Sequence, residues 1–238
     1  MQDLARKVIC ALDTSSVKEA TGIIKKLSGK VGAFKIGHAL TLANGLDVIP
    51  KLQDAGAIRI FLDLKFHDIP NSVALAVKEA AKRDVWMMTI HTTGGIPMMV
   101  AAVEEARASD FSPIILGVSV LTSLDQSFLT ESLGIDRTLE QHLIKLSQLA
   151  LACELDGIVC SPQEVKIARE SLDPSAIIVS PGIRPVGGTA HDQSRVGSAL
   201  QAVEDGADYI VVGRALTEAN SPEEGLNSLG INTAINVL

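Results

Sequence analysis

Short apolar, β-branched runs recur along the chain, each followed by a stretch whose apolar positions return with helical spacing. The runs are Lys7–Asp13, Ala33–Gly37, Arg59–Lys65, Val85–His91, Pro113–Val120, Gly157–Ser161, Ala176–Pro181 and Ala207–Gly213. They read as buried strands. Val73–Arg83 and Met98–Ala108 are among the helical stretches between them. Ser16 with Glu19, Ser161 with Glu164 and Ser221 with Glu224 have capping-box spacing, and Pro162 and Pro222 stand where a first helical residue needs no N–H. Eight strands alternating with helices, with no linker or low-complexity break, predict an α/β fold: one (β/α)8 TIM barrel spanning residues 1–238 as a single catalytic domain. An open, doubly wound sheet has the same alternation and remains the alternative at this level.

The barrel reading says where chemistry should lie, because such barrels work at the C-terminal ends of their strands. The polar strand ends are Asp13, Lys35, Asp63, Lys65, His91, Ser119 and Arg214. In the third run, Ile60, Leu62 and Leu64 alternate with Phe61, Asp63 and Lys65. Period-two geometry therefore puts Asp63 and Lys65 on one face, roughly 6–7 Å apart along a regular strand. Neighbouring strands would gather Asp13, Lys35, Asp63 and Lys65 into one corner, with Asp68 just beyond, in a loop closed by Pro70. Alternating charges keep lysines and acids ionised. A structural ion-pair network at the rim fits the same residues.

A second cluster follows the seventh and eighth runs: Pro181-Gly182-Ile183-Arg184-Pro185, the Gly-rich stretch 186–195 containing Gln193, and Gly213-Arg214. Loops at these places hold phosphate in many barrels through backbone N–H groups at a short helix start, to which Arg214 would add a bidentate cation and Gln193 a neutral donor. A surface arginine after a tight glycine turn fits Gly213-Arg214 by itself as well.

Composition narrows the partners. The 238 residues are 47% hydrophobic but only 3% aromatic, so aliphatic side chains must fill the core, and the net charge of −7 argues against a nucleic-acid backbone as ligand. No apolar run is long enough to cross a bilayer, and the N-terminus lacks the apolar core of a signal peptide. Cys10, Cys153 and Cys160 include no CxxC and read as buried, reduced thiols of a cytoplasmic protein. The five histidines show no metal spacing; His67 beside Asp68 reads as a loop residue rather than a ligand. Neither G-x-S-x-G, G-x-G-x-x-G nor a Walker A loop is present.

The string Asp63-Leu64-Lys65-Phe66-His67-Asp68-Ile69-Pro70-Asn71 resembles the active-site signature of the orotidine 5′-phosphate decarboxylase family. The similarity extends over nearly the whole chain, through Ala11-Leu12-Asp13, Phe34-Lys35-Ile36-Gly37, His91 with Gly94-Gly95, Val120-Leu121-Thr122-Ser123, Pro181–Pro185, Asp192-Gln193 with Arg195, and Val212-Gly213-Arg214. Ser72 stands where the family often has Thr, His191 where a second acid is common, and Thr93 where relatives are often apolar.

The resemblance implies decarboxylation of orotidine 5′-monophosphate to UMP, the last step of pyrimidine synthesis, without metal or cofactor. It also implies a homodimer with shared sites. Lys65 would stabilise and then protonate the C6 carbanion, Asp63 would face the departing carboxylate, and Lys35 and the partner's Asp68 would hold Lys65. Asp13 and Lys35 would contact the ribose, Thr122 the base, and Arg184, Gln193, Gly213 and Arg214 the phosphate; Ile69 and Ser72 are the remaining substrate contacts it implies. Phosphate binding would draw the 184–195 loop closed. Two alternatives remain. The sugar-phosphate decarboxylases and synthases sharing D-x-K-x-x-D use magnesium held by an acid where this chain has Lys35, and they lack the Ile-Pro-Asn extension. A non-catalytic nucleotide-binding barrel would have lost the lysine or an acid, and here all are kept.

Overall fold

A computed structural model describes residues 2–185, 195 and 197–231. Eight parallel strands close on themselves: β1 (Val8–Leu12), β2 (Ala33–Ile36), β3 (Ile60–Phe66), β4 (Met87–His91), β5 (Ile114–Val118), β6 (Gly157–Val159), β7 (Ile177–Ser180) and β8 (Tyr209–Val212). β8 pairs with β1, Val8 opposite Ile210, which decides for the closed barrel over the open sheet. The strands are shorter than the apolar runs predicted by a residue or two at most ends. Asp13 and Gly213 consequently sit just past the ladder, where side chains and backbone are free to face the mouth.

Two apolar layers follow from the alternation. Ile9, Ala11, Ala33, Phe61, Met87, Leu116, Val179 and Val211 point inward and fill the barrel. Val8, Cys10, Leu12, Ile36, Ile60, Leu62, Met88 and Ile90 point outward against the helices. Burying each large aliphatic side chain stabilises the fold by about 1.5–3 kcal/mol. Below the inner layer, Trp86 meets Tyr209 edge-on with ring centroids 5.1 Å apart, and the Arg59 guanidinium lies 5.2 Å over the indole. This aromatic floor closes the N-terminal end.

Helix starts follow the local signals in part. Ser16 accepts the Glu19 N–H at 3.3 Å, yet the Glu19 carboxylate takes the Thr14 hydroxyl instead of reaching back. Ser221 caps Pro222–Ser228. A reciprocal Thr138–Gln141 capping box starts Leu139–Ala152, a signal the sequence reading passed over.

β3 departs from a regular strand at its functional end. Leu62 pairs with Met88 but Phe66 pairs with Ile90, so four steps on β3 span two on β4. This bulge carries two extra residues. Because the pleat repeats every two residues, the inside–outside alternation is preserved across it. Lys65 adopts φ +50° there, a left-handed conformation that costs a non-glycine residue about 1–2 kcal/mol. Its displaced N–H donates to Thr89 Oγ1 at 2.9 Å in place of a ladder carbonyl.

Candidate active site

The bulge spans the stretch of β3 that carries Asp63 and Lys65. The two side chains share a face, and the Lys65 ammonium lies 2.8 Å from Asp63 Oδ1. Thr89, inward-facing on β4, donates its hydroxyl to the same oxygen at 2.9 Å. Thr89 thus orients Asp63 through its side chain and holds the Lys65 backbone. The sequence reading missed it; the signal was a lone hydroxyl between Met87 and His91 on an otherwise apolar inner face.

On the other side, Lys35 Nζ lies 3.7 Å from Asp63 Oδ2 and 3.3 Å from Asp13 Oδ1. Asp13, Lys35, Asp63 and Lys65 therefore alternate in sign around the mouth. The links are unequal. The Asp13 side chain is 72% exposed, so its pair with Lys35 contributes about 0–1 kcal/mol. Asp63 is 15% exposed and lies between both ammonium groups. Burial alone would raise its pKa, but Lys35, Lys65 and the hydrogen bonds from Lys65 and Thr89 outweigh this and hold it below the ordinary value. His91, stacked on His67 at 5.1 Å between centroids, is depressed by burial first and then by His67 and Lys65.

A cavity of about 270 Å³ opens over this array. Of the substrate contacts expected from sequence, Asp13, Lys35, Asp63, Lys65, Thr122, Arg184, Gly213 and Arg214 line it. Acids and lysines occupy one wall. Arg184 and Arg214 bring two guanidinium groups to the same cavity, with Gly213 beside Asp13, and are suited to an anionic group. Asp68, Ile69 and Ser72 are not among the lining residues of their own chain. Asp68 is exposed and accepts the neighbouring Ile69 N–H at 2.6 Å, and Ile69 is 66% exposed. Gln193, with residues 186–194, lies outside the described residues.

Comparison with known proteins shows the family. The family model described as Orotidine 5'-phosphate decarboxylase / HUMPS family matches residues 6–229. The chain belongs to this family. Among its relatives, the orotidine 5'-phosphate decarboxylase of Dichelobacter nodosus is 42% identical over 93% of this chain and 96% of its own. That of Actinobacillus succinogenes is 41% identical over 96% and 98%. The crystal structure of orotidine 5'-phosphate decarboxylase from Lactobacillus acidophilus superposes with a TM-score of 0.81 at 33% identity, covering 94% of this chain and 96% of that one. Family membership covers the barrel; what this chain's own side chains do follows from the array at its mouth.

Proposed function

We infer that the chain is an orotidine 5′-phosphate decarboxylase, a carboxy-lyase converting orotidine 5′-monophosphate to UMP and CO₂ in pyrimidine synthesis. The observation that carries this reading is the Asp13–Lys35–Asp63–Lys65 array lining one cavity with Arg184 and Arg214.

Loss of CO₂ leaves an electron pair at C6 in the plane of the pyrimidine, where the π system cannot delocalise it. Such a carbanion needs a fixed positive charge beside it, and the Lys65 ammonium fits that need: it stabilises the developing charge and then supplies the proton. Asp63 anchors that ammonium and faces the carboxylate that leaves, so departure of CO₂ relieves their repulsion. Thr122 contacts the base and Asp13 and Lys35 the ribose. Arg184, Gln193, Gly213 and Arg214 hold the phosphate, whose binding energy is expressed at the distant C6.

No metal is required in this scheme. The Lys35 ammonium stands between the two carboxylates that a divalent ion would otherwise bridge. The same feature disfavours the magnesium-dependent sugar-phosphate chemistry of other barrels of this kind.

The working unit is a homodimer in which Asp68, Ile69 and Ser72 complete the neighbouring site. Two features support this. In its own chain Asp68 does not reach Lys65, which leaves that ammonium with one carboxylate where the charge pattern calls for two. Ile69, Ile96 and Val100 are also exposed around the starts of the packed helices Pro70–Ala81 and Ile96–Arg107, an apolar edge that a second copy would cover. Among the described residues no helix is long and apolar enough to cross a membrane, and three buried free thiols fit the reducing cytoplasm.

The deciding experiment mixes purified protein with orotidine 5′-monophosphate and follows the fall in ultraviolet absorbance as UMP forms. No change at high enzyme concentration, with or without magnesium, refutes the assignment.

A further inference from the structure

Away from the charged array, a buried ion pair sits beneath the loops that follow β5, β6 and β7. The Arg195 guanidinium meets the Glu164 carboxylate, with side chains 11% and 5% exposed. Glu164 Oε2 accepts the Ser161 N–H at 2.9 Å and the Ser161 hydroxyl at 2.7 Å, which fixes the acid in the turn after β6. Arg195 Nη2 donates to the Leu121 carbonyl at 3.0 Å and lies 3.5 Å from that of Val120. Leu121 immediately precedes Thr122, which lines the cavity.

The chain leaving Arg195 engages the third loop. Gly197 accepts the Arg184 N–H at 3.0 Å and donates to the Gly182 carbonyl at 3.3 Å, forming an isolated bridge with Ile183. Gly197 also abuts the turn that carries Glu164: a Cβ there would lie 2.5 Å from Pro162 Cβ. The pair thus connects the backbone before Thr122, the turn after β6, and the backbone of Gly182 and Arg184.

Stability is a weak reason for such a pair. Two charges taken out of water gain little over apolar residues of the same volume. A guanidinium does offer what an apolar residue or an ammonium cannot: a rigid planar fork that meets a carboxylate on one edge and carbonyl oxygens on another. Burial lowers the Arg195 pKa but leaves it protonated across the working range.

We propose that Arg195 is a positioning residue for the decarboxylation: anchored by Glu164, it holds the peptide before Thr122 and, through Gly197, the backbone of Arg184, keeping the base-facing and phosphate-facing edges of the cavity in register. This rests on the function proposed above. A small displacement of a substrate-orienting group costs about a hundredfold in rate. Arg195→Met should therefore lower kcat and kcat/KM for orotidine 5′-monophosphate together by about that factor, with KM changed less than about threefold. Arg195→Lys should recover only part of the loss.

The decisive measurement is a double-mutant cycle with Thr122→Ala. If Arg195 acts through Thr122, Arg195→Met should cost less than about threefold in the Thr122→Ala background. Equal losses in both backgrounds overturn the proposal and make the pair merely structural. Should Arg195→Met fail to fold, Glu164→Gln, which keeps an oxygen for Ser161, takes its place in the same cycle with the same two outcomes. Wild-type protein that does not turn over orotidine 5′-monophosphate would sink the functional assignment. An active wild type with additive losses sinks only the role of Arg195.

Discussion

At the N-terminal end of the barrel Trp86 meets Tyr209 edge-on under the Arg59 guanidinium to form an aromatic floor; at the C-terminal end two lysines and two aspartates interlock around a cavity. Only β3 supplies both groups, with Arg59 just before its start and Asp63 and Lys65 near its end, so the contrast is in what each end is optimised for. The floor consists of contacts that favour the folded state whatever the ligand. The mouth takes the charges of Lys35, Asp63 and Lys65 partly out of water, keeps Lys65 in a left-handed backbone conformation and interrupts the β3–β4 ladder. Each of these costs stability, and together they hold charges where a reaction can use them. The comparison predicts that substitutions at the mouth change turnover and, except at Asp63 between its two ammonium groups, barely change melting, while substitutions in the floor do the reverse.

The largest effect on turnover is expected for Lys65→Ala. Turnover should fall by more than about a thousandfold, since a charge aimed at the transition state is gone, while the melting temperature stays near wild type. Asp68→Asn should be nearly inactive as well. Refolding the two variants together tests the shared site. Random pairing makes half the dimers mixed, and one site in each carries neither lesion, so about a quarter of the wild-type activity should return. If mass spectrometry shows mixed dimers and no activity returns, Asp68 serves its own chain.

Asp63→Asn should lower turnover and, unlike Lys65→Ala, also stability, because it leaves Lys35 and Lys65 facing one another. The sign of its pH dependence follows from the depressed folded-state pKa. A carboxylate of that kind contributes stability fully above its unfolded pKa of about 4, and the contribution disappears as pH falls through the lower folded value. The gap in melting temperature between wild type and Asp63→Asn should therefore be widest near neutrality and close in acid. A gap that widens in acid would mean that Asp63 is held protonated in the fold.

Arg214→Ala sharpens the division within the mouth. Turnover of the phosphorylated substrate should drop by about ten- to a hundredfold, and the slow reaction of unphosphorylated orotidine should change little, because only the phosphate can form the charge-assisted contact. Equal losses on both substrates would make Arg214 a scaffold residue. At the other end of the barrel, Trp86→Ala should lower stability by about 3–5 kcal/mol in denaturant titration while kcat per folded molecule stays unchanged. A fall in kcat would mean that floor and mouth are mechanically coupled. The smallest effect is none: dialysis against a chelator should leave turnover as it was, and restoration of a lost activity by magnesium would favour the metal-dependent reading.

Much of this architecture was legible in the sequence because both layers of the barrel obey a period of two. The apolar runs mark all eight strands, and the polar residues that interrupt their ends fall at the mouth. The bulge in β3 was not legible for the same reason: two extra residues leave the period intact, so Leu64 and Phe66 still look like successive outward positions. Thr89 was hidden by its type, since a hydroxyl in a strand is as often a β-former as a partner for a buried acid. Glu164 was visible as a cap three residues after Ser161, yet its ion pair with Arg195 is a contact between residues far apart in the chain, and local spacing carries no sign of it. Asp68 was legible as an acid just past the charged strand end, but Ile69 and Ser72 entered only through the family resemblance, because nothing in the spacing of an apolar and a hydroxyl side chain on a loop marks a substrate contact.

The aromatic floor has an optical consequence. Trp86 and Tyr209 are the only tryptophan and the only tyrosine in the chain. From Tyr209 to Gly213 the strand rises roughly 13 Å, so the indole emits from the end of the barrel remote from the substrate. Its fluorescence, excited where nucleotides absorb little, should report closure of the β-ring and stay nearly constant as the cavity fills. In a single cuvette, emission then counts intact barrels and absorbance counts turnovers. Each variant at the mouth thus carries its own internal standard for the amount of folded protein.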